Sequence, residues 1–289
     1  ARSIALTSSW VAWSFVAPAL LVIAVFFLLP VAAGFMLSLT DFDLYAVGDP
    51  SAARVVALRN YARLLEDPVF WKALGNTFFF VVAGGPLTVA LSLGTALLLN
   101  NRLVRFPGLF RTIYFAPVVT TLVAVAAVWR YLYHPRFGLL NAALALVGIG
   151  PVDWLGDPRW AMPAIVLMAA WKNFGANMII FVAGLKAIPE SLYEAARIDG
   201  AGPFQRFRKI TVPLLAPTFL FVGLTTTIGY FQLFAEPYVM SGGDGGPMNA
   251  TLSVALFMYK QGFRWWSIGP AAAIAFVLFA VILAATLLQ

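Results

Sequence analysis

From Ser3 to Thr40 the chain holds no Asp, Glu, Lys or Arg, and the same is true from Ala73 to Asn101, Thr112 to Trp129, Ile210 to Ala235 and Trp265 to Gln289. Each run exceeds or approaches the roughly 20 residues with which a helix crosses about 30 Å of hydrocarbon. A sixth, Ala161 to Leu185, is apolar except for Lys172, Asn173 and Asn177. With 62% hydrophobic and 11% charged residues and a mean hydropathy of +0.88, the chain has more apolar surface than a soluble domain of 289 residues can bury. The expected fold is therefore all-α and polytopic. It is a single transmembrane domain over residues 1–289, with six spans near 10–39, 74–99, 109–132, 161–185, 214–236 and 265–288.

The first run is too long for a signal-peptide core and lacks a strongly cationic leader with a small-residue cleavage site, so it is read as a retained span. Pro18 and Pro30 predict that it is tilted or broken, and Gly84-Gly85-Pro86 is predicted to interrupt the second span, as a gating bend or as simple packing. Gly48-Asp49-Pro50 reads as a turn, and Leu58 to Leu65 as a short surface helix. Leu139 to Ile149 is apolar but too short to cross, which places it in the outer interface or in a segment that dips back. Trp10, Trp13, Trp129, Tyr131, Tyr133, Trp154, Trp160, Trp265 and Trp266 fall at span ends, as interfacial anchors do. Cysteine is absent and His134 is the single histidine, so no thiolate or histidine-cluster metal site is expected.

Six spans put both termini on one side. The segments near 1–9, 100–111 and 186–213 hold nine basic residues (Arg2, Arg102, Arg105, Arg111, Lys186, Arg197, Arg206, Arg208 and Lys209) in about 49 positions, and the opposite segments hold nine in about 93. Basic density in short loops places the first set in the cytoplasm.

One of those inner segments, 186–213, is polar, basic and helix-forming between two apolar runs, so something outside the bilayer must account for it. Ser191-Leu192-Tyr193-Glu194 has the spacing of a capping box, with Ser191 as the cap and Glu194 reaching back. Gly200 suits the left-handed end of a helix, and Gly202-Pro203 permits a redirection before a second short helix through Ile210. On that helix Phe204 and Phe207 are expected on one side, with Arg206, Arg208 and Lys209 toward lipid head groups or an acidic partner.

Glu194-Ala195-Ala196, then three residues, Gly200, nine more, and Ile210-Thr211-Val212-Pro213 together resemble the signature loop of permease subunits of binding-protein-dependent ABC importers. Only Val212 stands where the usual pattern has Leu. The resemblance implies the type I importer permease fold, with 186–213 as a cytoplasmic coupling helix seated in a cleft of an ATPase subunit. Glu194, Ala195, Ala196, Gly200, Ile210 and Pro213 would be its ATPase-coupling residues, the small alanines allowing close approach and Glu194 meeting a basic group. The implied partners are a second homologous permease forming a heterodimer, two ATP-binding cassette subunits, an extracytoplasmic sugar-binding protein and membrane lipid. Nucleic acid is not among them, and the implied location is the inner (plasma) membrane of a prokaryote. No lysine follows a glycine anywhere in the chain, so it has no P-loop; ATP and Mg are expected on the partner ATPase, and this chain is expected to be a non-catalytic subunit without a cofactor or metal of its own. Gly242 to Pro247 reads as an outer turn, or as a contact for the delivering protein.

For cargo, Asn173 and Asn177 lie four apart on one helical face, and the fifth span offers Thr225, Tyr230 and Gln232. Amides beside aromatic rings suit a sugar, since they match hydroxyl donors and acceptors while rings cover the apolar faces. The same residue types also serve as interhelical hydrogen bonds. Resemblance to maltose-type permeases implies substrate contact near Asn173, Thr225, Gly229 and Gln232, with Gly229 leaving room for a ring. Lys172 is expected to pair with Glu236 or to snorkel. The expected function is transport of a carbohydrate, a di- or oligosaccharide, by alternating access. A secondary, ion-coupled transporter of a small polar solute is the alternative, although no internal repeat is present and Lys172 is the one clear mid-span charge. No H-E-x-x-H or G-x-S-x-G motif suggests an intramembrane enzyme.

Overall fold

The computed structural model describes residues 2–49, 53–100 and 104–289, with side chains from residue 11 onward. Pro50 of the expected turn, Asn101 and Arg102 therefore lie outside the described residues, as do the side chains of Arg2 and Trp10. The described elements are α1 (Arg2–Ile23), α2 (Leu29–Ser38), α3 (Leu44–Gly48), α4 (Arg59–Glu66), α5 (Pro68–Leu99), α6 (Pro107–Val119), α7 (Leu122–Leu132) and α8 (Leu139–Leu146). They continue with α9 (Pro158–Ala187), α10 (Glu190–Ile198), α11 (Pro203–Arg206), α12 (Val212–Leu214), α13 (Ala216–Phe231), α14 (Ala235–Met240), α15 (Val254–Tyr259) and α16 (Ile268–Leu288). Four stretches, Val11–Ser38, α5, α9 and α16, are each long and apolar enough to cross a membrane. Two bent pairs, α6 with α7 and Pro203–Leu214 with α13, bring the total to six if each pair is one span.

The chain packs as two compact units, one of residues through Asp67 with Met258–Val277, the other of Pro68–Phe257 with Leu278–Gln289. In the first, α1 and α2 run on through a π-helical turn at Ala24–Leu28. Pro30 follows that turn, and a wider turn accommodates a residue that brings no N–H and crowds the preceding turn. The expected break is thus a local widening. Phe35 meets Phe276 edge-on at 5.3 Å. The last carbonyls of α2 have no partner in the helix, and the buried Asn60 amide of α4 donates to Ser38 O at 2.8 Å and Thr40 O at 2.7 Å.

The second unit is organised around α9. Its first half packs Met162, Ile165, Met168 and Ala169 with Phe80, Val125, Trp129 and Tyr133. Its second half packs Met178, Phe181 and Leu185 with Ala96, Leu99 and Val222. Close approach makes this possible: a Cβ on Gly175 would lie 2.1 Å from the Tyr114 carbonyl oxygen of α6, and one on Gly184 would lie 2.6 Å from Thr218 Oγ1 of α13. Lys172, Asn173 and Asn177 fall between the two apolar layers.

Several expectations change here. Gly84-Gly85-Pro86 does not interrupt the second span; α5 runs through as one helix, and Gly84 serves packing, since a Cβ there would meet the Tyr230 ring at 2.9 Å. The third span is broken, α6 and α7 meeting at 99°. Thr120 and Thr121 are extended there, and Thr120 Oγ1 takes the Ala116 carbonyl at 2.9 Å. Helix α13 stops at Phe231, short of the expected 236: the Leu233 N–H turns to the Tyr230 carbonyl at 3.3 Å, and Ser253 Oγ donates to the Leu233 carbonyl beyond the helix end. Trp129 and Tyr133 are not interfacial anchors but core: both are buried, and Tyr133 packs at a tilt against Trp154, ring centroids 5.6 Å apart, and donates to the Ala164 carbonyl at 2.7 Å. A hydroxyl or indole N–H that finds an internal acceptor removes the reason to stay at the interface. Trp13, Tyr131, Trp160, Trp265 and Trp266 are exposed. The segment around α8 is held by Asn141, which donates to Pro135 O and Val152 O and accepts from Trp154 Nε1 at 2.9 Å.

Gly175→Ala forces α6 off α9 and is expected to destabilise the protein by about 1–3 kcal/mol. A thermal melt of the purified protein reads this as a lowered Tm, and an unchanged Tm contradicts the close-approach account.

Candidate functional site

Between the two apolar layers of the second unit lies a cavity of about 340 Å³. Five of the six sequence-derived cargo residues line it: Asn173 and Asn177 from α9, and Thr225, Gly229 and Tyr230 from α13. Spacing explains the convergence, because residues three and four apart share a helical face. The sixth, Gln232, is not in the lining. Helix α13 has ended one residue earlier, and Gln232 stands exposed at the helix cap.

Six further positions on the wall, Phe80, Thr88, Ala176, Thr226, Leu233 and Glu236, were not read from sequence as cargo residues, and Glu236 was expected only as a partner for Lys172. Thr88 and Thr226 are ordinary span residues until the fold pairs them. The Thr88 hydroxyl lies 2.6 Å from that of Tyr230, and Asn177 Nδ2 donates to Thr226 Oγ1 at 3.0 Å. Asn177 therefore serves as an interhelical link as well as a wall. The Tyr230 ring packs on Phe80 with centroids 4.7 Å apart, so two rings form one side of the space. Glu236 is the one charged residue in the lining.

Lys172 has a different task from the two expected of it. Its Nζ donates to the Val118 carbonyl at 3.5 Å, one of the C-terminal carbonyls that α6 leaves without a partner where the third span breaks. A cation is favoured at the negative end of a helix. No ion pair between Lys172 and Glu236 appears among the described residues.

The loop 186–213 forms two short helical stretches that meet at Gly200. Helix α10 begins at Glu190 with Pro189 at its cap and no capping side chain. The predicted capping box at Ser191 is thus displaced: Ser191 and Glu194 lie inside the helix, because Pro189 fits the position before a first turn. Glu194 and Ala195 are exposed and Ala196 half-buried. At the other end Gly200 has φ +76, Gly200 N–H donates to Arg197 O at 3.1 Å and Ala201 N–H to Ala196 O at 2.8 Å. Those two bonds and a left-handed residue make a Schellman motif, which satisfies helix carbonyls while turning the chain. Glycine is needed because a side chain in that conformation costs about 1–2 kcal/mol.

The second stretch starts at Pro203, where Gln205 Oε1 accepts from the Gly202 N–H at 3.1 Å, and passes through a π-helical turn, Phe207–Thr211. Tyr193 of α10 and Thr211 join the stretches, their hydroxyls 2.9 Å apart. Ile210 packs on the inner apolar layer, and Pro213 lies in α12, exposed. The expected facing of this stretch is reversed in part: Phe204 is 72% exposed, whereas Arg206 turns inward with Nε buried. Phe204 and Arg206 stand two apart in one helical turn, so turning the guanidinium inward puts the ring outward.

Comparison with known proteins agrees with this architecture. The lactose transport system permease protein LacF of Rhizobium radiobacter is 39% identical over 280 residues, covering 96% of this chain and 92% of that protein. The trehalose/maltose transport system permease protein MalF of Thermococcus litoralis is 37% identical over 270 residues, covering 93% and 89%. Among solved structures, a chain of a bacterial alginate ABC transporter in complex with an alginate pentasaccharide-bound periplasmic protein superimposes with a TM-score of 0.79 at 20% identity, covering 98% of this chain and 93% of that one. Residues 88–289 match the family described as the binding-protein-dependent transport system inner membrane component, and the chain belongs to that family.

Proposed function

We propose that this chain is one permease subunit of an ATP-driven importer of carbohydrate, with a di- or oligosaccharide as cargo. The observation that carries the proposal is the wall chemistry of the central cavity: the amides and hydroxyls of Asn173, Asn177, Thr225 and Thr226 stand beside the rings of Phe80 and Tyr230. Amides supply both donors and acceptors to sugar hydroxyls, and ring faces cover the C–H faces of a pyranose. Relatives named for lactose and for trehalose and maltose support the same class of cargo.

The reading assigns the energy source to other subunits. This chain has no phosphate-binding loop, so ATP and Mg belong to two ATP-binding cassette subunits on the cytoplasmic side. Loop 186–213 is their docking element: exposed Glu194 meets a basic group, and the apolar Ile198, 86% exposed, enters the cleft of the ATPase. A corner closed by backbone hydrogen bonds at Gly200 can pass a push from that cleft to the bundle without bending. Thr225 and Gly229 are exposed at one side of the cavity, where a second, related permease completes the pathway. An extracytoplasmic binding protein delivers the sugar, in keeping with the family's dependence on such a protein. Closure of the ATPases would open the cavity outward, and hydrolysis would return it. The ion-coupled transporter is not favoured, since the mid-span cation Lys172 is engaged with the end of α6.

Asn173→Ala in the assembled transporter is expected to lower uptake of labelled sugar at least about tenfold, the factor that 1.4 kcal/mol of lost binding represents, with assembly intact. Undiminished uptake rejects the cavity as the cargo site. Gly200→Val is expected to leave the complex assembled but remove most of the ATP hydrolysis that cargo and binding protein stimulate; normal stimulation removes the loop from the coupling path.

A further inference from the structure

At the ends of α5 and α9, next to the loop, a cavity of about 540 Å³ is walled by Asn100, Lys186, Glu190, Tyr193, Arg197 and Arg206, among others. A second space of about 390 Å³ shares Asn100, Tyr193 and Arg206 with it. Three cations against one carboxylate give the larger wall a net positive charge. Arg206 belongs to both spaces, and its Nε is buried without a hydrogen-bond partner. Its neighbours Arg208 and Lys209 are exposed to solvent, as basic residues on a loop ordinarily are. A guanidinium carries five donors in a fixed planar fork, and a buried donor with no acceptor is disfavoured, so such a group turned inward marks the place of an acceptor. The fork matches carboxylate and phosphate geometry, and phosphate oxygens can take bonds from several cations at once. Basic pockets between membrane helices at the membrane surface are suited to phosphate head groups.

We propose that this pair of cavities binds a phosphate-bearing anion, held by the Arg206 fork, with Lys186 and Arg197 at the exposed side and the Asn100 amide as a further donor. Nothing in the transport reading requires such a site, and the proposal stands apart from the identity of the cargo. The anion would join the ends of α5 and α9 to α10 and α11, adding a polar tie beside the Tyr193 to Thr211 contact. Its occupancy would therefore set how firmly the loop is held to the bundle. Two sources offer this chemistry, an acidic phospholipid head group and free phosphate.

The test uses the full chain in nanodiscs, without ATPase subunits whose nucleotide sites would also take phosphate. One arm titrates inorganic phosphate into phosphatidylcholine discs at constant ionic strength and follows hydrogen exchange of residues 186–213. The other incorporates phosphatidylglycerol and follows the same exchange, with native mass spectrometry for retained lipid. Protection of the loop in the phosphate arm assigns free phosphate, and protection with retained lipid in the other assigns the head group; either supports the site. Arg206→Gln is expected to raise the Kd at least tenfold, while Arg208→Gln leaves it unchanged. Should Arg206→Gln fail to fold, the double variant Lys186→Gln/Arg197→Gln, at exposed positions, is expected to weaken binding several-fold. No protection in either arm, or equal protection in wild type and the folded variants, overturns the proposal.

Discussion

Helix α9 must fill two apolar layers and still leave a polar band between them, and the central cavity follows from that demand. Its two halves pack against different partners, α5 and α7 on one side, α5 and α13 on the other. Lys172, Asn173 and Asn177 fall where neither layer reaches. Polar groups in a span are costly unless protein or water satisfies them, and here each is answered: Lys172 by the Val118 carbonyl at the break in the third span, Asn177 by Thr226, and Asn173 by its place on the cavity wall near the Tyr230 hydroxyl. The break between α6 and α7 and the half-buried lysine are thus two halves of one arrangement. The helix end supplies carbonyls that need a donor, and the lysine supplies a charge that needs an acceptor.

The loop at the far end of α9 obeys a different economy, that of exposed backbone. Its shape rests on Gly200 alone for the left-handed residue, and on Ala196 and Arg197 for the carbonyls that the turn satisfies. The spacing from Glu194 through Gly200 therefore has a local physical meaning before any partner is considered: a short helix, a hydrogen-bonded stop, and a fixed change of direction. Exposed Glu194, Ala195 and Ile198 on the outer side of that corner are what remains for a partner to touch.

Much of this was legible from residues. Long charge-free runs fall on helices long and apolar enough to cross a membrane, because length and apolarity are what a membrane selects. Residue type placed Gly200 at a helix end, and spacing put Asn173 and Asn177 on one helical face, while Thr225 and Tyr230 were picked out by chemistry and Gly229 only by resemblance to maltose-type permeases. What failed were features decided by tertiary partners. Pro86 looked like an interruption, yet α5 continues through it, and the neighbouring Gly84 sits against the Tyr230 ring. Trp129 and Tyr133 looked like anchors, yet the core supplies their partners. Gln232 looked like cargo wall, yet α13 ends before it and leaves it exposed at the helix cap, outside the cavity lining. Arg206 was expected to face outward, yet its Nε is buried and Phe204 is the exposed member of the turn.

The central claim is that this family member moves sugar only when ATPase subunits drive it through the loop. The most direct measurement is uptake of a labelled disaccharide into proteoliposomes holding the assembled transporter, with ATP inside, binding protein outside and a protonophore present. The account predicts uptake that needs both ATP and the binding protein and is indifferent to the protonophore. Uptake that proceeds without ATP and collapses with the protonophore would contradict it.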